Sequence, residues 1–88
     1  MVKKKLPQDK LFVKVSSPFE VFYEGEAYAV SAINNTGPFD ILPHHANFLS
    51  ILLPGNIEIN TGKKKVSVNI KRGILRVSGN KVQIFLGV

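Results

Sequence analysis

Apolar side chains recur at every second position along most of this sequence, and no stretch carries them at helical spacing for several turns. Leu11, Val13 and Val15 alternate with Phe12, Lys14 and Ser16. Ile57 and Ile59 alternate with Glu58 and Asn60; Val66, Val68 and Ile70 with Lys65, Ser67, Asn69 and Lys71; Leu75 and Val77 with Arg76 and Ser78; Val82, Ile84 and Leu86 with Gln83. A period of two puts one set of side chains on a buried face and the other in solvent, the pattern of strands in a half-buried sheet. The buried set is largely β-branched, which suits a pleated surface. Turn formers break the runs at short intervals: Gly79-Asn80 suits a two-residue hairpin, Thr61-Gly62-Lys63 separates Ile59 from Val66, and Glu24-Gly25-Glu26 divides Val21–Tyr23 from Ala27–Ile33. Phe48 to Leu53 is almost continuously apolar, and its length between Pro43 and Pro54-Gly55 favours a buried strand over a helical turn. The expectation is an all-β fold, a flattened sandwich or barrel of about ten short, mostly antiparallel strands.

A chain of 88 residues has room for one core and little to spare for a deep substrate cavity, since it buries roughly 60 to 65% of its unfolded surface. There is no cysteine, which excludes disulfide scaffolds, thiol nucleophiles and cysteine-type zinc sites. No run approaches the roughly 20 apolar residues of a membrane-spanning helix. Residues 1–10, with Lys3, Lys4, Lys5 and Lys10, are expected to form a flexible basic arm and residues 11–88 the β domain.

Lys+Arg number 12 against Asp+Glu 6, a formal net charge of +6. Such an excess invites a small basic nucleic-acid-binding β-module as the alternative reading, because clustered cations displace counterions from phosphates. The aromatics do not follow it: Phe12, Phe22, Tyr23, Tyr28 and Phe85 are scattered singly, without the signature of an RNA-binding sheet. His44-His45 with Asp40 is the one cluster of metal-ligand types, but adjacent residues of extended chain point to opposite sides and no second cluster completes a ligand set. No serine lies in a nucleophile elbow. Asn34-Asn35-Thr36 has the form of a glycosylation acceptor and is taken here as a polar turn. Neither a catalytic residue nor a cofactor nor a metal is expected.

The distinctive stretch is Gly37-Pro38-Phe39-Asp40-Ile41-Leu42-Pro43-His44-His45-Ala46-Asn47. Its two prolines fix φ, and its apolar residues can pin a stiff exposed loop to the core. With Phe22-Tyr23-Glu24-Gly25-Glu26 before it, then Leu52-Leu53-Pro54-Gly55, Gly73-Ile74-Leu75-Arg76-Val77 and Lys81-Val82-Gln83-Ile84, the sequence resembles the N-terminal β-sandwich domain of the ε subunit of bacterial and chloroplast F-type ATP synthase, called δ in mitochondria. The likeness runs over residues 11–86. Asp40 stands where the family usually has Gly, Asn47 where it has Pro, and Arg72-Gly73 where it has Gly-Gly, and the family's C-terminal helical hairpin has no counterpart.

The resemblance implies a non-catalytic rotor-stalk component that couples the γ subunit to the c-ring. Such a component lies on the cytoplasmic face of the bacterial inner membrane, or the equivalent organelle face, and meets the membrane only through the complex. It implies no nucleic-acid partner. It also implies a partner-contact loop at one end of the sandwich, formed by Pro38, Phe39, Asp40, Leu42, Pro43, His44 and His45.

Overall fold

A computed structural model describes residues 10–87, and among them the alternating runs form nine strands and no helix. These are β1 (Leu11–Ser16), β2 (Val21–Ala27), β3 (Ala29–Asn34), β4 (Gly37–Ile41), β5 (Phe48–Leu52), β6 (Gly55–Asn60), β7 (Lys65–Ile70), β8 (Gly73–Ser78) and β9 (Lys81–Leu86). The basic arm expected over residues 1–10 lies, Lys10 apart, outside the described residues.

The count falls short of about ten because Glu24-Gly25-Glu26 is not a break: β2 runs through it, with Gly25 opposite Val13 of β1. Gly25 leaves space for the Tyr23 side chain, whose hydroxyl would lie 3.3 Å from an added Cβ and donates to the Glu26 carbonyl at 2.8 Å. A glycine inside a strand here admits a close neighbour instead of turning the chain. The break falls at Tyr28.

The strands form a five-stranded sheet, β2-β1-β9-β8-β5, and a four-stranded sheet, β4-β3-β6-β7. Pairing is antiparallel except between the first and last strands, β1 and β9, which run parallel. Hairpins stay within one sheet, while Tyr28, residues 42–47, Leu53-Pro54 and Lys71-Arg72 carry the chain across to the other. The β8–β9 hairpin is the tight two-residue turn expected, with Gly79 at φ 60°, the sign a type II′ turn demands at its first central position. In the β6–β7 turn Gly62 lies against Tyr28 at φ 89°, and a Cβ there would overlap the ring.

Between the sheets lies one apolar layer. Leu11, Val13, Val15, Leu52, Leu75, Val77, Val82 and Ile84 come from the larger sheet and Val30, Ala32, Ile41, Ile57, Ile59 and Ile70 from the smaller, all buried. No buried polar or charged side chain interrupts it among the described residues.

The alternation sets the energetics residue by residue. Leu75→Ala should cost about 3 kcal/mol, the transfer term plus the cavity left behind. Ile74→Ala, one position away on the outer face, should cost about 1 kcal/mol or less. Urea unfolding of the two variants checks this, and equal losses would contradict the two-layer architecture.

Candidate partner-binding surface

The residues expected to form one contact loop are divided by the pleat of β4. Pro38 and Asp40 project from the outer face of the four-stranded sheet, both exposed. Asp40 pairs with Ser31 across β3–β4 and accepts its hydroxyl at 2.6 Å. Phe39, between them, packs inward against the core and meets Phe48 edge to face at 5.7 Å between ring centroids. These three are therefore strand residues, a correction to the loop expected, and the reason is the alternation of the strand itself.

Leu42, Pro43, His44 and His45 do form a compact loop at the end of the sandwich. Asn47 and Asn80 clamp it to the β8–β9 hairpin: the His44 N–H donates to the Asn80 side-chain oxygen at 2.8 Å, and the Gly79 N–H donates to the Asn47 side-chain oxygen at 3.1 Å. The His45 N–H closes the turn onto the Leu42 carbonyl at 3.2 Å. His45 sits edge to face on Phe48 at 5.6 Å, with its Nδ1 2.7 Å from the Ala46 carbonyl oxygen. His44 takes φ 68°, a left-handed conformation that costs a β-carbon residue about 1 to 2 kcal/mol. Asn80 thus fixes the backbone of His44, and Phe48 the ring of His45. Among the described residues no group of three or more His, Cys, Asp or Glu side chains could hold a metal ion.

An exposed apolar surface lies elsewhere. On the outer face of the five-stranded sheet Ile51, Ile74 and Phe85 are cross-strand neighbours in one row, and Leu49 stands beside them, opposite Arg76. Leu49 and Ile51 are 69% and 72% exposed. With Leu53 and Asn35 they line a concavity of about 650 Å³. The row is held in place by bonds to the other sheet, from the Leu53 N–H to the Ile33 carbonyl at 2.9 Å and from the Asn34 side-chain amide to the Ser50 hydroxyl at 3.1 Å.

The site expectation from sequence missed this row, although the signal was there. Leu49, Ile51, Leu52 and Leu53 are an apolar run without alternation, and in a strand such a run must turn half its members outward unless both faces are covered. Among the described residues no element covers the outer face of the five-stranded sheet, so the outward half of β5 is exposed, as Ile74 and Phe85 are on β8 and β9.

Aromatic side chains on the same sheet face do not form a stacking platform. Phe12 pairs with Lys81 in one row and Phe85 with Ser16 in another, with Lys14 and Gln83 in the row between them.

Comparison with known proteins places these features. Residues 10–87 match the family model described as the β-sandwich domain of the ATP synthase delta/epsilon chain. The chain belongs to this family. It is 40% identical over 75 residues to an ATP synthase epsilon chain of Ruthia magnifica, covering 85% of this chain and 54% of that one. With an ATP synthase epsilon chain of Leptospira borgpetersenii the identity is 36%, covering 85% and 59%. The chain thus spans little more than half the length of these curated relatives. A chain in the Euglena gracilis mitochondrial ATP synthase, solved as its OSCP/F1/c-ring assembly, superposes with a TM-score of 0.82 at 22% identity, over 97% of this chain and 54% of that one. Another, in the central stalk and c-ring of Tetrahymena thermophila mitochondrial ATP synthase, superposes at 0.76 and 18% identity, over 94% and 67%. Both bear on the fold alone.

Within the delta/epsilon pattern the two departures in the 37–47 stretch have structural uses. Asp40 is a cross-strand hydrogen-bond acceptor in β4, and positive φ falls on His44 rather than on it. Asn47, where the family usually carries Pro, supplies one half of the clamp.

Asn80→Ala removes the acceptor of the His44 N–H and should destabilise the fold by about 1 kcal/mol. Exchange of the His44 amide should quicken about tenfold while core amides of β8 and β9 slow or quicken only with global stability. Hydrogen exchange resolved by residue measures both.

Proposed function

We propose that this chain is a non-catalytic rotor component of an F-type ATP synthase, joining the γ subunit of the central shaft to the c-ring and peripheral to the membrane on its cytoplasmic face. The observation that carries the reading is the family match over residues 10–87, which spans the described structure. Relatives bearing the name ATP synthase epsilon chain support it.

The physical form agrees. Two sheets packed over an uninterrupted apolar layer resist shear, because close-packed side chains cannot slide without opening voids. A rigid body between two moving partners transmits displacement instead of absorbing it. The surface offers a row for docking in place of a deep site: covering Leu49 and Ile51 would stabilise a complex by about 1 to 2 kcal/mol each.

The contact surface in this reading has two parts, the end loop Leu42, Pro43, His44 and His45, and the apolar row Leu49, Ile51, Ile74 and Phe85. Pro38 and Asp40 flank the loop on the outer face of the smaller sheet, and Phe39 supports it from within.

Co-purification of tagged chain with γ and c subunits tests the proposal. Leu49→Ser with Ile51→Ser should reduce γ–c-ring recovery about tenfold or more, the loss expected when two apolar anchors leave an interface. Leu42→Ala with His45→Ala should weaken it less. Thermal transitions of both double variants should stay within a few degrees of the parent, since the altered side chains lie outside the core. Undiminished recovery in both would overturn the contact assignment; failure of the parent chain to recover γ would overturn the function.

A further inference from the structure

Five of the described lysines gather at one end of the sandwich. Lys10, the turn lysines Lys63 and Lys64, Lys65 at the start of β7 and Lys81 at the start of β9 all fall at the end of the sandwich that carries the 42–47 loop. One carboxylate accompanies them, Glu26, which Lys10 engages at 3.5 Å. Asp40 and Glu58 stand in one row with Ser31, two positions along the strands from Lys65, and Lys14, Lys71, Arg72 and Arg76 with Glu20 and Glu24 make up the other described charges. Five lysines thus gather at the loop end, and among the described residues only Lys10 is ion-paired.

We infer that this lysine end is a docking surface for a carboxylate-rich protein segment. The inference rests on the rotor reading for its choice of a protein partner, since the loop assigned to partner contact shares the same end.

Three observations support it. First, Lys63, Lys64, Lys65 and Lys81 form no ion pair among the described residues, and consecutive like charges on a short turn repel each other, a cost that an acidic neighbour removes. Second, a concavity of about 540 Å³ opens between Lys10 and Lys81, with Leu11, Phe12, Glu26, Gly79 and Asn80 among its lining. An Asp or Glu side chain entering it meets the Lys81 ammonium, which has no carboxylate partner among the described residues, while Lys10 is held by Glu26 at 3.5 Å. Third, the ring beside the lysine turn is already engaged: Tyr28 has Gly62 against it and the Lys10 ammonium 5.6 Å from its centroid. A basic groove that binds single-stranded nucleic acid pairs its cations with a run of aromatic faces for the bases; here Tyr28, 45% exposed, already carries the Lys10 ammonium over its ring, and Phe12 stands apart on the five-stranded sheet. Lysine ammonium groups on mobile stems suit carboxylates scattered on a protein surface.

Such a patch contributes orientation and speed of encounter more than affinity. It would turn the 42–47 loop towards the acidic side of its partner before close contact forms, and its reach would shorten to about 8 Å at physiological salt.

The test uses the 88-residue chain with three probes at equal ionic strength: a decaglutamate peptide, oligodeoxythymidylate of equal charge, and phosphatidylglycerol vesicles, each by titration calorimetry or fluorescence anisotropy. Decaglutamate should bind best, and its affinity should fall as salt rises. Lys63→Glu, Lys64→Glu and Lys81→Glu together should weaken its binding about tenfold or more. Lys71→Glu with Arg72→Glu, at the far end, should change it less than about twofold. Tighter binding of the oligonucleotide or the vesicles would overturn the inference, as would equal losses from reversal at the two ends or the absence of any decaglutamate binding. None of these outcomes bears on recovery of γ through Leu49 and Ile51, so the inference and the rotor proposal fail separately.

Discussion

Every feature of this molecule depends on a seam between two sheets that, among the described residues, contains no polar side chain. Fourteen aliphatic residues named above meet there, and nothing in the layer supplies a hydrogen bond or charge to fix register. Register comes instead from the ladders on either side and from the rim, where Asn34, Asn47 and Asn80 tie one element to another. A seam of this kind is insensitive to pH, because burial of hydrocarbon does not depend on ionisation. The electrostatic work of the surface can thus vary without disturbing the body that carries it.

The division of labour follows. The interior provides rigidity, and in the proposed reading recognition falls to what the pleat turns outward: an aliphatic row towards one end of the larger sheet, a clamped loop and lysines at the other. Pleat and recognition are linked through single residues. Phe39 and Phe48 are inward in β4 and β5, yet their edge-to-face contact supports His45 in the loop. Asn80 closes a tight turn and also holds His44 in its left-handed conformation.

Much of this was legible in the amino-acid order. Alternation at Leu11–Ser16, Ile57–Asn60 and Leu75–Ser78 gave strand, face and core membership together, because local period and burial are the same fact in a sheet. Gly79-Asn80 announced its hairpin. Gly25 misled, since a glycine flanked by two glutamates is turn-like in composition while its use here, space for Tyr23, is a matter of packing. The 37–47 stretch was recognisable as distinctive, but its division between strand and loop was not, because both prolines are compatible with extended chain. The Asn47 and Asn80 clamp joins positions 32 and 36 residues apart, and no local pattern records such a meeting.

The parallel pairing of β1 with β9 has a bearing on how the molecule comes into being. Phe12 finds its neighbour Lys81 only after nearly all of the intervening chain has been made, so the larger sheet stays divided, with a β1–β2 hairpin on one side and β8 waiting on the other, until the last strand arrives to join them. Long-range closure of this sort slows folding. On the ribosome the domain would acquire its mechanical integrity in a single late step, and any interruption within Lys81–Leu86 would leave two unfinished edges inviting other chains to pair.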